Sequence, residues 1–422
     1  MQEQSQDNQM TTAADNALPT NIRALYQDLH RNPELSFAET RTAGIAADHL
    51  RAAGFDVLSG VGRTGVVGVL RNGDGPTVLL RADMDALPVK EETGLDYAST
   101  ATGIGPDGTE VPVMHACGHD VHVTCLIGAA EHLAATRSQW NGTLIALFQP
   151  AEEVGAGARA MIADGLYDRV PRPDVVLGQH VGPAPAGCVG VRPGAAFASA
   201  DSIDITVFGR GGHGSRPETT IDPVVIAAAI VLRLQSVIAR EIAPQETAVV
   251  TVGQIHAGSK NNIIAATATL GLSVRAYSQA VRTRILSAID RIVRAEAAAS
   301  GAEREPLIEI AESIPVTVNE PAASERTNSA FRAAFGADAV YDPGQVSGSE
   351  DVGELATAAG APLVYWILGG TDAREFAAAV AAGTVEQEIS SNHSPHFAPV
   401  IDPTLDRGIE ALIVAAREWL GS

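Results

Sequence analysis

With 422 residues, 29 basic and 50 acidic side chains and a formal charge of −21, the chain is long enough for two or three domains. It is too acidic to attract nucleic acid or an anionic membrane, and no basic run offsets that charge. Three cysteines, Cys117, Cys125 and Cys188, are too few and too odd in number for a disulfide framework, and they fit a reducing compartment, the cytoplasm.

The first twenty residues are polar, without the basic start or apolar stretch of a secretory signal, and read as a disordered leader over residues 1–20. No run of apolar residues approaches the eighteen or so of a membrane helix. Helices are expected over 21–29 and 40–53, broken by Asn32-Pro33. Apolar runs at 55–58, 65–70 and 77–81 are Val- and Leu-rich and separated by turn residues, so they read as strands. A helix over 120–135 has Asp120 placed to cap it. Strands at 143–148 and 174–177 flank a helical segment at 156–164, and this alternation predicts an α/β domain with helices around a central mixed sheet. Beyond about residue 200 the order becomes strand 201–208, helix 222–240, strands 247–256 and 267–277, helix 280–299 and strand 306–311. That is the β-α-β-β-α-β order of a ferredoxin-like α+β module. It reads as a domain over 199–312 inserted into an α/β domain made of 21–198 and 313–422. The chain then returns to helices at 328–335 and 351–359, a strand at 363–368, and a C-terminal helix from about Pro403.

Two glycine clusters imitate nucleotide sites. Gly60-Val-Gly-Arg-Thr-Gly65 fits G-x-G-x-x-G, but strand residues follow it where that motif needs a helix, so a β-hairpin is expected. Gly209-Arg-Gly-Gly-His-Gly214 lacks the Lys-Ser/Thr ending of a phosphate loop.

Cys117 and His119 lie two apart before a predicted helix, and thiolate and imidazole are both good ligands for a borderline metal such as zinc. The plainer account is a buried cysteine and a histidine near a helix start. His115 and His122 crowd the same segment, as ligands or as groups that orient ligands. Glu152-Glu153 follows a buried strand; a solvated pair is the ordinary explanation, but strand ends are where open α/β sheets place ligands. Hydrolysis at a metal uses one carboxylate on the ion and another to handle the proton of water. His180, Asp83 and Asp85 also follow strands, and His393 lies in the late polar loop Asn-His-Ser-Pro-His-Phe. No G-x-S-x-G elbow competes. Cys117 as a nucleophile would leave the two glutamates without a role.

The segments Arg81-Ala-Asp-Met-Asp-Ala-Leu-Pro88, Met114–Asp120, Gln149-Pro-Ala-Glu-Glu153, Gly209–Pro217 and His393-Ser-Pro395 resemble, in order, the aminoacylase/carboxypeptidase superfamily of metal-dependent hydrolases. The branch is that of hippurate hydrolases, auxin-conjugate hydrolases and N-acyl-amino-acid amidohydrolases, and the resemblance runs from about Tyr26 to the C-terminus. It implies two divalent metal ions per subunit, zinc or manganese, with cobalt or nickel as further options. Their ligands would be Cys117, His119, Glu153, His180 and His393. It further implies Glu152 as general base, Asp85 as the carboxylate that orients the centre, and His213, Asn262 and Arg275 as substrate-binding groups in a lid that pairs subunits into a homodimer or higher homo-oligomer. Two departures stand out: Asn262-Ile-Ile-Ala265 where the family often has Asn-Val-Ile-Pro, and Asp402-Pro403 where it commonly has Asp-Glu. The expected reaction is hydrolysis of a small N-acyl amino acid to a carboxylic acid and an amino acid. The alternatives are a metallo-dipeptidase or carboxypeptidase, and a catalytically inactive small-molecule binding protein.

Overall fold

The short apolar runs become the centre of the molecule. In the computed structural model, which describes residues 22–421, Gly142–Gln149, Thr77–Asp83, Val175–Pro185 and Leu363–Thr371 lie side by side and parallel, in that spatial order. The leader expected over residues 1–20 lies outside the described residues. Gly65–Asn72 and Asp56–Val61 extend the sheet antiparallel on one side, and Val189–Val191 and Val340–Tyr341 complete eight strands on the other. Parallel strands covered on both faces need apolar side chains at nearly every position. Leu144, Ala146 and Phe148 therefore enter one core with Tyr26, Leu126 and Ile409, while Ile145 and Leu147 enter the opposite core with Met161 and Val352. Gly60–Gly65 closes the hairpin between Asp56–Val61 and Gly65–Asn72, as its flanking strand residues predict.

The helix His119–Ala135 has thirteen of its seventeen residues buried. A helix apolar on all sides belongs in a core, and this one lies among Ile22–Arg31, Thr40–Ala52 and Ile401–Trp419. Its start corrects the sequence reading. The N-cap is Gly118, in the left-handed conformation, and Asp120 turns its carboxylate to His30 instead (Oδ2 to Nδ1, 2.6 Å). A buried imidazole needs a partner, and Asp120 supplies one while still facing the positive end of the helix dipole. The helix expected over 328–335 begins earlier, at Pro321, where Glu320 accepts from Ala323 N at 2.6 Å. A helix at Ala373–Ala382, capped by Asp372, was not expected.

Ser199–Phe208, Ala248–Ala257, Thr267–Ala276 and Leu307–Ile314 form a separate antiparallel sheet. In space their order is second, third, first, fourth, with Pro223–Glu241 and Gln279–Ala299 packed against it. This is the ferredoxin-like arrangement, with a core of its own that includes Ile203, Leu234, Leu270 and Ile289. Ala200 pairs with Ile314 and Ser199 with Ala276, so the chain enters and leaves the module at one end of its sheet. Contrary to the reading from apolar runs, Pro223–Glu241 is long and apolar enough to cross a membrane, with a mean hydropathy of 1.7. Alanines between branched residues raise that average although Arg233 interrupts the run. Ile226, Ile230, Leu234 and Val237 are spent on the module's core, and Val225 and Leu232 are exposed.

One guanidinium joins several elements of the main sheet. Arg81, fully buried, reaches Asp83 Oδ2 at 2.6 Å, Glu350 Oε1 at 2.8 Å, Asp351 Oδ1 at 3.3 Å, Tyr365 Oη at 3.1 Å and Gln149 Oε1 at 3.0 Å. Removing it leaves three buried carboxylates without their cation, which costs roughly 3–5 kcal/mol. Arg81→Met is therefore expected to lower the urea midpoint sharply, and an unchanged midpoint would show that the network contributes no stability.

Candidate metal centre

Three neighbouring strands deliver the acidic and imidazole groups. Asp83 ends Thr77–Asp83 with Asp85 just beyond it, Glu152 and Glu153 follow Gln149, and His180 lies within Val175–Pro185. Parallel strands put their carboxyl ends at one edge, so groups distant in sequence converge there. Cys117 and His119 flank Gly118 at the start of the core helix. His393 arrives on a loop pinned by its own amide to Ala116 O (2.8 Å) and by Asn392 Nδ2 to Cys117 O (3.1 Å) and Val181 O (3.0 Å).

The five expected ligands sort into two overlapping sets. The donor atoms of Cys117, His119 and His180 lie within 4.8 Å of one another, and so do those of Cys117, Glu153 and His393. Cys117 belongs to both; its Sγ is 3.5 Å from His180 Nε2. Glu153 Oε2 is 3.3 Å from His393 Nε2, and Glu153 Oε1 is 3.8 Å from His119 Nε2. Glu152 Oε2 stands 3.9 Å from the same His119 nitrogen. His180 donates Nδ1–H to Val181 O (2.8 Å), which leaves the Nε2 lone pair facing the thiol. Asp85 Oδ1 lies 3.3 Å from His119 Nδ1 and aims Nε2 in the same way.

The donor set fits divalent ions. His119 Nε2 and Glu153 Oε1 are buried with no hydrogen-bond partner, a costly state unless something else binds them. A thiol, imidazoles and a carboxylate are the mixed donors that borderline metals prefer. The electrostatics agree. Burial, then Glu350 and Glu153, push the Glu152 carboxyl well above its ordinary range, and burial lifts Glu153 to about 7. Burial opposes charge on His119, yet Asp83 and Asp85 outweigh it and raise its pKa well above the usual value. Burial and Glu153 push up the Cys117 thiol. All these shifts report buried acidic groups short of positive charge.

Two of the nearby candidates are already spent. His122 bonds Asp83 through a very short Nδ1 contact and accepts from Val181 N at 2.8 Å, while the other Asp83 oxygen holds Arg81. Both nitrogens of His122 are thus taken, and the two Asp83 oxygens already face His122 and Arg81, so both residues orient the strand ends. Glu350, Asp351 and Asn392 belong to the site's surroundings and were not anticipated. Asn392 adjoins the His393 motif and was within reach of a sequence reading, whereas nothing in the sequence ties Glu350 and Asp351 to Arg81.

The expected substrate-binding residues lie at opposite ends of the module's sheet. His213 and Asn262 are exposed on the small ribbon Gly212–His213/Ile263–Ile264, and His213 Nδ1 accepts from Ser215 N (3.1 Å). That ribbon follows Phe208 and precedes Thr267, the end of the module's sheet opposite the chain crossings. Arg275 sits at the crossing end, with Nη1 bonded to Ser349 Oγ at 3.1 Å. A ten-residue strand separates the two ends by about 30 Å, so Arg275 and His213 do not serve one site within a single chain.

Gly118, between Cys117 and His119, is tightly enclosed. Its φ is 80°, and a Cβ there would lie 2.4 Å from Val181 Cγ1. Left-handed strain and overpacking together cost about 2–4 kcal/mol. Gly118→Ala is expected to lower stability by that amount and to displace Cys117 from His119; wild-type stability and metal content would refute this.

Residues 79–418 match the model of peptidase family M20/M25/M40. Hippurate hydrolase of Campylobacter jejuni is 40% identical over 330 residues, covering 77% of this chain and 82% of that protein. Thermostable carboxypeptidase 2 of Saccharolobus solfataricus is 38% identical over 354 residues, covering 82% and 85%. A solved Bacillus subtilis protein described as a dinuclear metal-binding peptidase of the M20 family superposes with a TM-score of 0.74 at 27% identity, covering 94% of this chain and 97% of that one. In fold, in the extent of the match and in identity to its relatives, the chain belongs to peptidase family M20/M25/M40.

Proposed function

We propose that the protein is a metal-dependent amidohydrolase that cleaves N-acyl amino acids into a carboxylic acid and a free amino acid. The observation that carries this reading is the pair of donor sets sharing Cys117, with the Glu152 carboxylate beside them, 3.9 Å from His119 Nε2. Two divalent ions held there, zinc or manganese with cobalt or nickel as substitutes, would polarise the amide carbonyl and lower the pKa of water, to about 7 on zinc. Cys117, His119 and His180 would hold one and Cys117, Glu153 and His393 the other. Asp85 keeps His119 in register by facing its Nδ1. Glu152 accepts the proton of the attacking water and returns it to the leaving nitrogen. Burial and its acidic neighbours raise the Glu152 carboxyl above its ordinary range, the direction that favours holding the proton between the two steps.

Residues 199–312 act, in this reading, as a lid and pairing domain, while 21–198 and 313–422 carry the centre. The strand Ala248–Ala257 is an edge with Val249 and Ile255 exposed, and the neighbouring helix exposes Val225 and Leu232. An open edge beside exposed apolar residues is a pairing surface. A homodimer formed through it would carry the ribbon with His213 toward the other subunit's centre. There His213, with Nδ1 occupied by Ser215, offers Nε2–H to a carbonyl oxygen. Three reduced cysteines support a cytoplasmic location.

A panel of N-benzoyl and N-acetyl amino acids beside unblocked dipeptides tests the substrate class. Turnover of the acyl amino acids is expected; turnover of dipeptides alone would favour the carboxypeptidase reading that the Saccharolobus relative supports. Glu152→Gln is expected to lower kcat by about 10²–10⁴-fold, and unchanged hydrolysis would remove Glu152 from the mechanism. Exhaustive chelation should abolish activity, with restoration by zinc or manganese. Mixing subunits tests the lid: Glu152→Gln and His213→Ala, each inactive alone, should regain roughly a quarter of wild-type activity when randomly reassorted, because half the dimers then hold one intact site. No recovery in verified mixed dimers would place His213 in its own subunit's site.

A further inference from the structure

The turn that carries Glu152 and Glu153 closes through Gly155 N to Glu152 O (2.7 Å) and Gly157 N to Ala151 O (3.0 Å), but its leading amides are held from outside. Ala151, immediately before it, has φ 49°, a left-handed conformation that costs a non-glycine residue about 1–2 kcal/mol and persists only where surroundings impose it. The three successive amides Ala151, Glu152 and Glu153 all point into buried carboxylates. Ala151 N donates to Glu39 Oε1 at 2.9 Å, Glu152 N to Asp85 Oδ1 at 3.1 Å and Glu153 N to Asp85 Oδ2 at 3.0 Å. Glu39 is 0% exposed and, among the described residues, has no cation on it; its other partners are Phe37 N (2.8 Å) and Thr64 Oγ1 (2.5 Å). A carboxylate buried on amides and a hydroxyl alone is expensive, so its place needs a reason beyond packing.

The residues around Glu39 form a clamp. Ser36 Oγ donates to Asp85 Oδ2 at 2.6 Å, and Ala86 N donates to Glu34 O at 2.8 Å, so the segment 34–39 holds both carboxylates from one side. On the other side is the hairpin tip Gly60–Gly65, whose glycines imitate a nucleotide motif. Its Thr64 bonds Glu39, and its Arg63 guanidinium lies 4.2 Å over the Phe37 ring. Gly62 lets the tip press on the helix Gly157–Ala163, which leaves the glutamate turn: a Cβ at Gly62 would stand 2.5 Å from Met161 N. The turn is thus gripped before and after Glu152-Glu153.

We infer that Glu39 is a positioning residue for the reaction: with Thr64 of the hairpin tip it locks Ala151 in its left-handed conformation and thereby aims the Glu152 and Glu153 carboxylates. This rests on the hydrolase reading for the roles of those two glutamates. Without Glu39, the Ala151 amide is buried and unpaired, and the turn relaxes toward an ordinary right-handed or extended conformation, which rotates both side chains away from His119 and His393.

The test compares full-length wild type, Glu39→Ala, Glu39→Gln and Thr64→Val as zinc-loaded proteins. The readouts are kcat and KM on the best acyl amino acid, the concentration of a zinc chelator that strips half the metal, and the melting temperature. Supporting groups of this kind cost 10–100-fold in affinity or activity when removed. Glu39→Ala is expected to lower kcat by about tenfold or more with KM within about threefold, and to lose zinc at roughly tenfold less chelator. Glu39→Gln, which keeps an acceptor oxygen for Ala151 N, should recover most of both. A lower melting temperature with wild-type kcat and chelator resistance would overturn the proposal and leave Glu39 a purely structural residue. If Glu39→Ala fails to fold, Thr64→Val decides: a smaller shift in the same direction is expected, and no shift in either kcat or chelator resistance overturns the proposal. Should the wild type cleave no acyl amino acid, the hydrolase reading fails, while chelator resistance still reports whether Glu39 aims Glu153.

Discussion

Buried negative charge is the constraint on which the rest of this structure depends. Asp83, Asp85, Glu152, Glu350 and Asp351 are all inside the protein at one edge of one sheet, with Glu153 almost as enclosed. Arg81 answers part of that charge through Asp83, Glu350 and Asp351. The rest stays uncompensated, and the raised carboxyl pKa values of Glu152 and Glu153 are its signature. Burying carboxylates without partners is among the most costly states a protein can hold. A centre of two divalent ions would supply the missing positive charge where Cys117, His119, Glu153, His180 and His393 converge, so the acidity of the site and its proposed chemistry have one cause.

The sheet makes such a concentration possible. Its four central strands are parallel, so their carboxyl ends, with the turns that follow, fall on one edge while both faces stay apolar. The support is layered. Arg81 ties strand to strand; Asp83 and His122 tie the sheet to the core helix; Asp85 and Glu39 hold the glutamate turn by its amides. Each layer satisfies backbone or imidazole groups and leaves the atoms facing the centre free.

The ferredoxin-like module stands apart from this core, with its own apolar interior and both chain crossings at one end. That attachment leaves the far end of its sheet, with His213 and Asn262, about 30 Å from the hinge. As the proposed lid, it would serve its own site by a large swing or a neighbour's by standing still. The exposed edge strand and the exposed apolar residues of Pro223–Glu241 are the features on which the proposed pairing rests.

The sequence alone determined the alternation of strands and helices and the ferredoxin-like order, which depend on local apolar periodicity. Residue types at strand ends made metal chemistry plausible there, and the particular donor set is what the family resemblance implies. It also exposed Gly60–Gly65 as a hairpin, because the residues after it have strand character. What stayed hidden depends on partners far apart in the chain. Asp120 looks like a helix cap until His30 is seen beside it, and Glu39 looks like an ordinary helix-flanking acid until Ala151 is. Asp83 and His122 carry ligand chemistry in their side chains, and only their bonds to Arg81 and Val181 show those donors to be occupied. Composition and spacing name the groups that can bind; which donors remain free is settled by tertiary contacts, since a buried polar atom takes whatever partner the fold brings within reach.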